Sequence, residues 1–239
     1  VEGPQVWARL IEYTLTFDDG RILDFKVDPT RGAGATRSTG ALPFWAQLDY
    51  QKCPNCPLPS GAGRCCPAAL DIEQIVVAFE NVVSHVEVCV EVRTPERTYL
   101  KRTDVQTALR SLMGLCLATG GCPVLARMKG PAQLHLPFAT VQETLFRMAG
   151  SYLLGQFHVA EQGGKPDWKL EGLVRLYAEL EEVNNAFKGR LDAAAKKDAN
   201  INALVMLTGI GMLVSFSLEQ QLAEIKPFTM DQEVPSSPN

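Results

Sequence analysis

Val86-Glu87-Val88-Cys89-Val90-Glu91-Val92-Arg93 alternates apolar and polar residues without a break. Successive side chains of a strand point to opposite faces, so the run predicts a strand with valines turned inward and a polar face turned to water. Directly after it, Thr94-Pro95-Glu96-Arg97 carries turn chemistry and Thr98-Tyr99-Leu100-Lys101 returns, which makes a hairpin. Before it, Pro67 to Val83 spaces Leu70, Ile72, Ile75, Val76 and Phe79 as one face of a helix, with Pro67 suited to the first turn. Farther upstream a second alternating run puts Trp7, Arg9, Ile11, Tyr13, Leu15 and Phe17 on one side. Asp18-Asp19-Gly20 turns that run, and Leu23, Phe25 and Val27 alternate with Asp24 and Lys26 on the way back. The order is β-β-α-β-β, which predicts a four-stranded antiparallel sheet with a helix on one face.

Downstream the period changes from two to about three and a half. Thr103-Asp104-Val105-Gln106 matches a capping box, and Val105, Leu109, Leu112 and Cys116 then share a face. Gly120-Gly121 predicts a left-handed end to this helix, and Pro123 blocks its continuation. Thr140-Val141-Gln142-Glu143 opens a second helix, which runs to about Val159. Asp167 caps a third carrying Leu170, Leu173, Val174, Tyr177 and Leu180, and Asp198 or Asn200 begins a fourth. Ser217-Leu218-Glu219-Gln220 predicts a cap for a short last helix ending before Pro227. The fold expected is α+β: a sheet region over 1–102, a bundle of about four helices over 103–228 packed on it as one compact domain, and a disordered tail over 229–239.

Of the 239 residues, 46% are hydrophobic and 21% charged, an ordinary globular balance. The formal net charge of −4 argues against coating nucleic acid, which needs a basic surplus. The longest apolar run, Ala203 to Phe216, contains Thr208, Gly209, Gly211 and Ser215 and is too short to span a bilayer, so no membrane is expected. No leader pattern opens the sequence, and seven cysteines are an odd number. Free thiols in a reducing, cytoplasmic setting are the expectation.

The stretch over about 42–67 lacks periodicity and carries Cys53-Pro54-Asn55-Cys56-Pro57 and Cys65-Cys66-Pro67. Two cysteines separated by two residues offer both sulfurs from one side of a tight turn. That bite suits a tetrahedral ion with metal–sulfur distances of about 2.3 Å, zinc above all. Adjacent residues point apart, so one of Cys65 and Cys66 is expected to ligate; Cys66 repeats the Cys-Pro step of the first two. The fourth ligand is open among Cys65, Cys122 and His135. An iron–sulfur cluster and a redox Cys-x-x-Cys compete with zinc. A redox pair belongs at a helix N-terminus after a strand, and this pair sits in a proline-rich loop. Cys89 and Cys116 read as packed thiols.

Between Arg93 and Gly130 seven basic residues face two acids, Glu96 and Asp104. Arg97, Lys101 and Arg102 beside the predicted helix start at Thr103 make a candidate anion site; a solvated strand edge explains the same residues. His135, in a proline-flanked loop, reads either as a hydrogen-bonded loop residue or as a ligand. Glu143 and Arg147 are spaced to pair on a helix surface. No serine-hydrolase, P-loop, dinucleotide-binding or His-Glu-x-x-His motif occurs.

Cys53-Pro54-Asn55-Cys56-Pro57-Leu58, Gly121-Cys122-Pro123, His135-Leu136-Pro137-Phe138, Glu143-Thr144-Leu145-Phe146-Arg147 and Asp167-Trp168 together resemble a bacterial family of unknown function, over about Ile11 to Phe228. The resemblance implies no activity. It implies that Cys53, Cys56, Cys66, Cys122 and His135 belong to the family pattern and that Cys65 is peculiar to this chain. Gly120-Gly121-Cys122 stands where a serine near Gly121 is the family expectation. Two functions follow as expectations: a structural metal protein with a protein or small anionic partner, or a metalloenzyme or thiol-redox enzyme using the Cys53/Cys56/Cys66 centre with Cys122 and His135.

Overall fold

Strand β1 (Ile11–Phe17) turns through Gly20, at φ +87°, into β2 (Ile22–Val27) in the computed structural model, which describes residues 10–31 and 43–226. Trp7 and Arg9 of the first alternating run, and the tail over 229–239, lie outside the described residues. The second hairpin is β3 (Glu87–Arg93) and β4 (Thr98–Asp104). All pairings are antiparallel and the order is β2-β1-β3-β4. Register puts Tyr13 between Phe25 and Val92, and Leu15 between Leu23 and Val90. Across β2, β1 and β3 the inner face is therefore one continuous apolar surface, while Glu12, Thr14, Glu91 and Cys89 face outward.

Helix α1 (Pro67–Ala78) connects the hairpins and ends earlier than its apolar spacing suggests. Phe79 and Val82, just beyond it, stay buried in the following turn, where Phe79 stacks on Phe25 at 6.0 Å between ring centres. Helix α2 (Val105–Thr119) lies against the sheet, with Leu109, Leu112 and Met113 fully buried. Each such side chain contributes about 1.5–3 kcal/mol of burial free energy. Its cap is Asp104, which accepts from the Thr107 N–H at 2.8 Å. Thr103 does not cap, because β4 runs through it to Asp104.

Gly120 does not take the expected left-handed conformation (φ −85°, ψ −165°). It is needed for space: a Cβ there would stand 1.9 Å from Asp71 Oδ2. The same carboxylate oxygen accepts from the Gly121 N–H at 2.8 Å.

A short helix, α3 (Lys129–Gln133), precedes α4 (Val141–Glu161), whose capping box forms as read, with Thr140 and Glu143 exchanging both bonds. Helix α5 (Glu171–Ala194) starts after Leu170, and Asp167 reaches forward to cap the Gly172 N–H at 2.7 Å. Helix α6 (Ala199–Ile225) is unbroken through Ser217, so the separate last helix is not formed. A capping sequence inside an apolar helix competes with a continuous hydrogen-bond ladder and loses. Helix α6 packs on α2, α4 and α5, and Asp198 at its start accepts from both the N–H and the hydroxyl of Ser84, each at 2.9 Å. No helix among the described residues is long and apolar enough to cross a membrane.

Candidate metal centre

The loop before α1 is stitched at its base. The Leu48 N–H donates to Arg64 O, and the Cys66 N–H donates to Ala46 O, both at 2.8 Å. Arg190 of α5 holds the same base from below. Its side chain is fully buried and donates to the carbonyls of Trp45 and Gln47, each at 2.6 Å, and of Leu48 at 2.9 Å. Beyond the base, the Cys56 N–H donates to Cys53 O at 3.1 Å, closing the turn that carries both sulfurs. Asn55 then docks this turn on α5 by donating to Glu179 O at 2.9 Å.

Cys66 is the residue from which α1 starts. Cys122 follows the end of α2, held there by the Gly121–Asp71 bond, and opens the next helical turn with its carbonyl accepting from the Ala126 N–H at 2.9 Å. Cys53, Cys56, Cys66 and Cys122 thus come from three separate segments and line one small cavity of about 20 Å³. Its other walls are apolar, with Leu48, Leu58, Val124, Val183 and Phe187 among them.

Burial and mutual proximity show in the thiol chemistry. Cys53 is pushed up to about 11, first by burial and then by the neighbouring Cys66, Cys122 and Cys56 thiols, against a smaller pull from Arg190. Burial raises Cys66, opposed by Arg190 and by the N–H groups of Ala69 and Ala68 at the start of α1. Burial raises Cys122 as well, opposed by the N–H groups of Leu125 and Val124. Each of these two sulfurs therefore faces a helical N-terminus, where thiolate is stabilised. As the side chains stand, no group of three or more His, Cys, Asp and Glu residues among the described ones forms a set that could hold a metal ion.

The remaining candidates lie elsewhere. Cys65 sits in a β-bridge opposite Gln47 and does not line the cavity, because its strand-like neighbour Cys66 takes the inward direction. His135 is remote from the thiols: its Nε2 is 2.5 Å from Tyr13 Oη, and Tyr13 donates to Ser111 at 3.1 Å. Burial, then Arg147, holds the imidazole down at about 3, so it is neutral near pH 7.

Of the basic trio, Arg102 is engaged by Asp18 and Glu87 across the outer face, and Lys101 stands over the Phe138 ring at 5.5 Å. Arg97 closes the β3–β4 turn through its backbone with Thr94. In the register Lys101 lies opposite Val90 on the inner face and Arg102 opposite Cys89 on the outer. The expected Glu143–Arg147 pair does not form, since Glu143 serves the α4 cap and Arg147 donates to the carbonyls of Pro131 and Leu134 at 2.7 and 2.8 Å. Arg190 escaped the reading of the sequence. Its signal was its place in the apolar stripe Leu180, Val183, Phe187, Arg190, where an arginine must find partners inside.

No curated protein and no solved structure matches the chain. The model of a family described only as a domain of unknown function (DUF6901) does match, over residues 11–229, and the chain belongs to that family.

Proposed function

We propose that this is a metal-binding protein in which Cys53, Cys56, Cys66 and Cys122 bind one zinc ion in a structural role. The observation that carries the reading is the meeting of four thiols from three segments at one cavity closed by apolar walls. Binding needs the thiols to turn inward, a rotation about χ1 at each cysteine. Four thiolates around one point repel one another, and a divalent cation turns that repulsion into attraction.

The size of the cavity favours a single structural ion over the alternatives. A space of about 20 Å³ has room for one water-sized sphere and none for a substrate. An iron–sulfur cluster, with several metal and sulfide atoms, asks for more. A redox Cys-x-x-Cys belongs at a helix N-terminus after a strand, whereas Cys53 and Cys56 sit in a turn of the loop before α1. The ion would clamp the 46–66 loop to the start of α1, the end of α2 and the flank of α5. A thiolate site of this kind suits a reducing compartment, which supports a cytoplasmic location.

Purified wild-type protein from a metal-replete, reducing preparation is expected to carry one zinc per chain by elemental analysis. Cys56→Ser and Cys122→Ser lose it, while Cys65→Ser and Cys89→Ser keep it. Structural zinc binding in small peptides is worth about 10–16 kcal/mol, so a strong chelator lowers the melting temperature and opens the 46–66 loop to proteolysis. Metal-free wild type, or a melting temperature indifferent to chelator, overturns the reading.

A further inference from the structure

A second cavity, of about 210 Å³, lies between α2, α4, α5 and α6 and owes nothing to the thiols. Leu115, Leu125, Met148 and Leu180 are among its apolar walls. Three polar features face this greasy space. Tyr177 is 4% exposed, and its hydroxyl has no hydrogen-bond partner among the described residues. Arg147, half-buried on the next helix, acts electrostatically on that phenol. Arg110 lines the same wall and gives one long bond, 3.3 Å, to Ala139 O. Among the described residues neither arginine makes an ion pair with a carboxylate.

A buried hydroxyl without a partner is unfavourable, and so is a partly desolvated guanidinium whose acids, Glu143 for Arg147 and Asp104 for Arg110, act on it only from beyond ion-pair distance. A protein that keeps both beside an apolar cavity has a place for an anion. Among the described lining residues Glu181 is the one acid, a helical turn beyond Tyr177; with His135 neutral, Arg110 and Arg147 leave that lining one net positive charge, while Glu143 and Asp104 act on the arginines from outside it. We propose that this cavity binds a small carboxylic acid with an apolar body, its carboxylate accepting from Arg147 and the Tyr177 hydroxyl. Benzene fits a cavity of about 150 Å³, which sets the body here at about six to ten carbons.

Calorimetric titration with octanoate tests this, with octanol supplying the body without the charge and acetate the charge without the body. Octanoate is expected to saturate one site, and octanol and acetate to bind at least about tenfold more weakly. Tyr177→Phe removes a hydroxyl that bonds nothing, so it folds as wild type and loses about two- to tenfold in octanoate affinity. Arg147→Met loses more than about tenfold. Because Arg147 also ties down Pro131 and Leu134, the decisive variant is Tyr177→Phe. No saturable binding at millimolar octanoate, octanol binding as tightly, or Tyr177→Phe binding unchanged each overturns the proposal.

Discussion

Arg190 shows how one residue can hold a loop that has little secondary structure of its own. Three carbonyls of the loop base depend on it, and two of them, Trp45 O and Leu48 O, are buried away from water if it is removed. Arg190→Met therefore leaves two buried acceptors unpaired and is expected to cost on the order of 3–5 kcal/mol in urea unfolding. Arg190→Lys keeps the charge but replaces a planar fork by a point, and should still lose about 2 kcal/mol or more. A second residue, Gly120, tests the space argument at the end of α2. Gly120→Ala drives Asp71 away from the Gly121 N–H and from Arg31, which it meets at 3.1 Å, and is expected to destabilise by about 1–3 kcal/mol. Gly150 in α4 is the control: a Cβ there meets nothing within 4 Å, so Gly150→Ala should stabilise by about 0.5–1 kcal/mol.

Elements whose signals are local were legible from the sequence. The valine run fixed β3 and its inward face because alternation over seven residues admits no other period. The α4 cap was legible because Thr140 and Glu143 exchange bonds within four residues, and Thr140→Ala is expected to cost about 1 kcal/mol in thermal unfolding. Signals failed where a neighbouring element outbid them. Pairing with β3 carried β4 through Thr103 and moved the α2 cap to Asp104. The hydrogen-bond ladder of an apolar helix carried α6 on through Ser217. At the candidate site, Cys53, Cys56 and Cys66 were legible as a group from their spacing. Cys122 joins them only because Asp71 holds the α2 end over the α1 start, a contact with no mark in the local sequence.

At the scale of the whole molecule, what stayed hidden was long-range pairing of polar groups, and His135 is the case with a measurable consequence. Its partner Tyr13 is 122 residues away on a central strand, so a lone loop histidine gave no sign of being half-buried against the sheet. Burial, and secondarily Arg147, holds the folded imidazole down at about 3, against 6.5 in an unfolded chain. As pH falls through 6.5 the unfolded state takes up a proton that the folded state refuses, so unfolding is favoured. Stability is thus fully present above about 6.5 and is lost toward 3, with a slope of up to about 1.4 kcal/mol per pH unit. His135→Gln removes this dependence while changing stability by a constant through the altered bond to Tyr13. The thiolate site is also acid-sensitive, but it is common to both proteins and cancels in their difference. Between pH 6.5 and 5, above the range where carboxylates titrate, urea midpoints of wild type should fall more steeply than those of His135→Gln. Parallel pH profiles would mean that the imidazole is solvated in the folded protein and that Tyr13 does not hold it against the sheet.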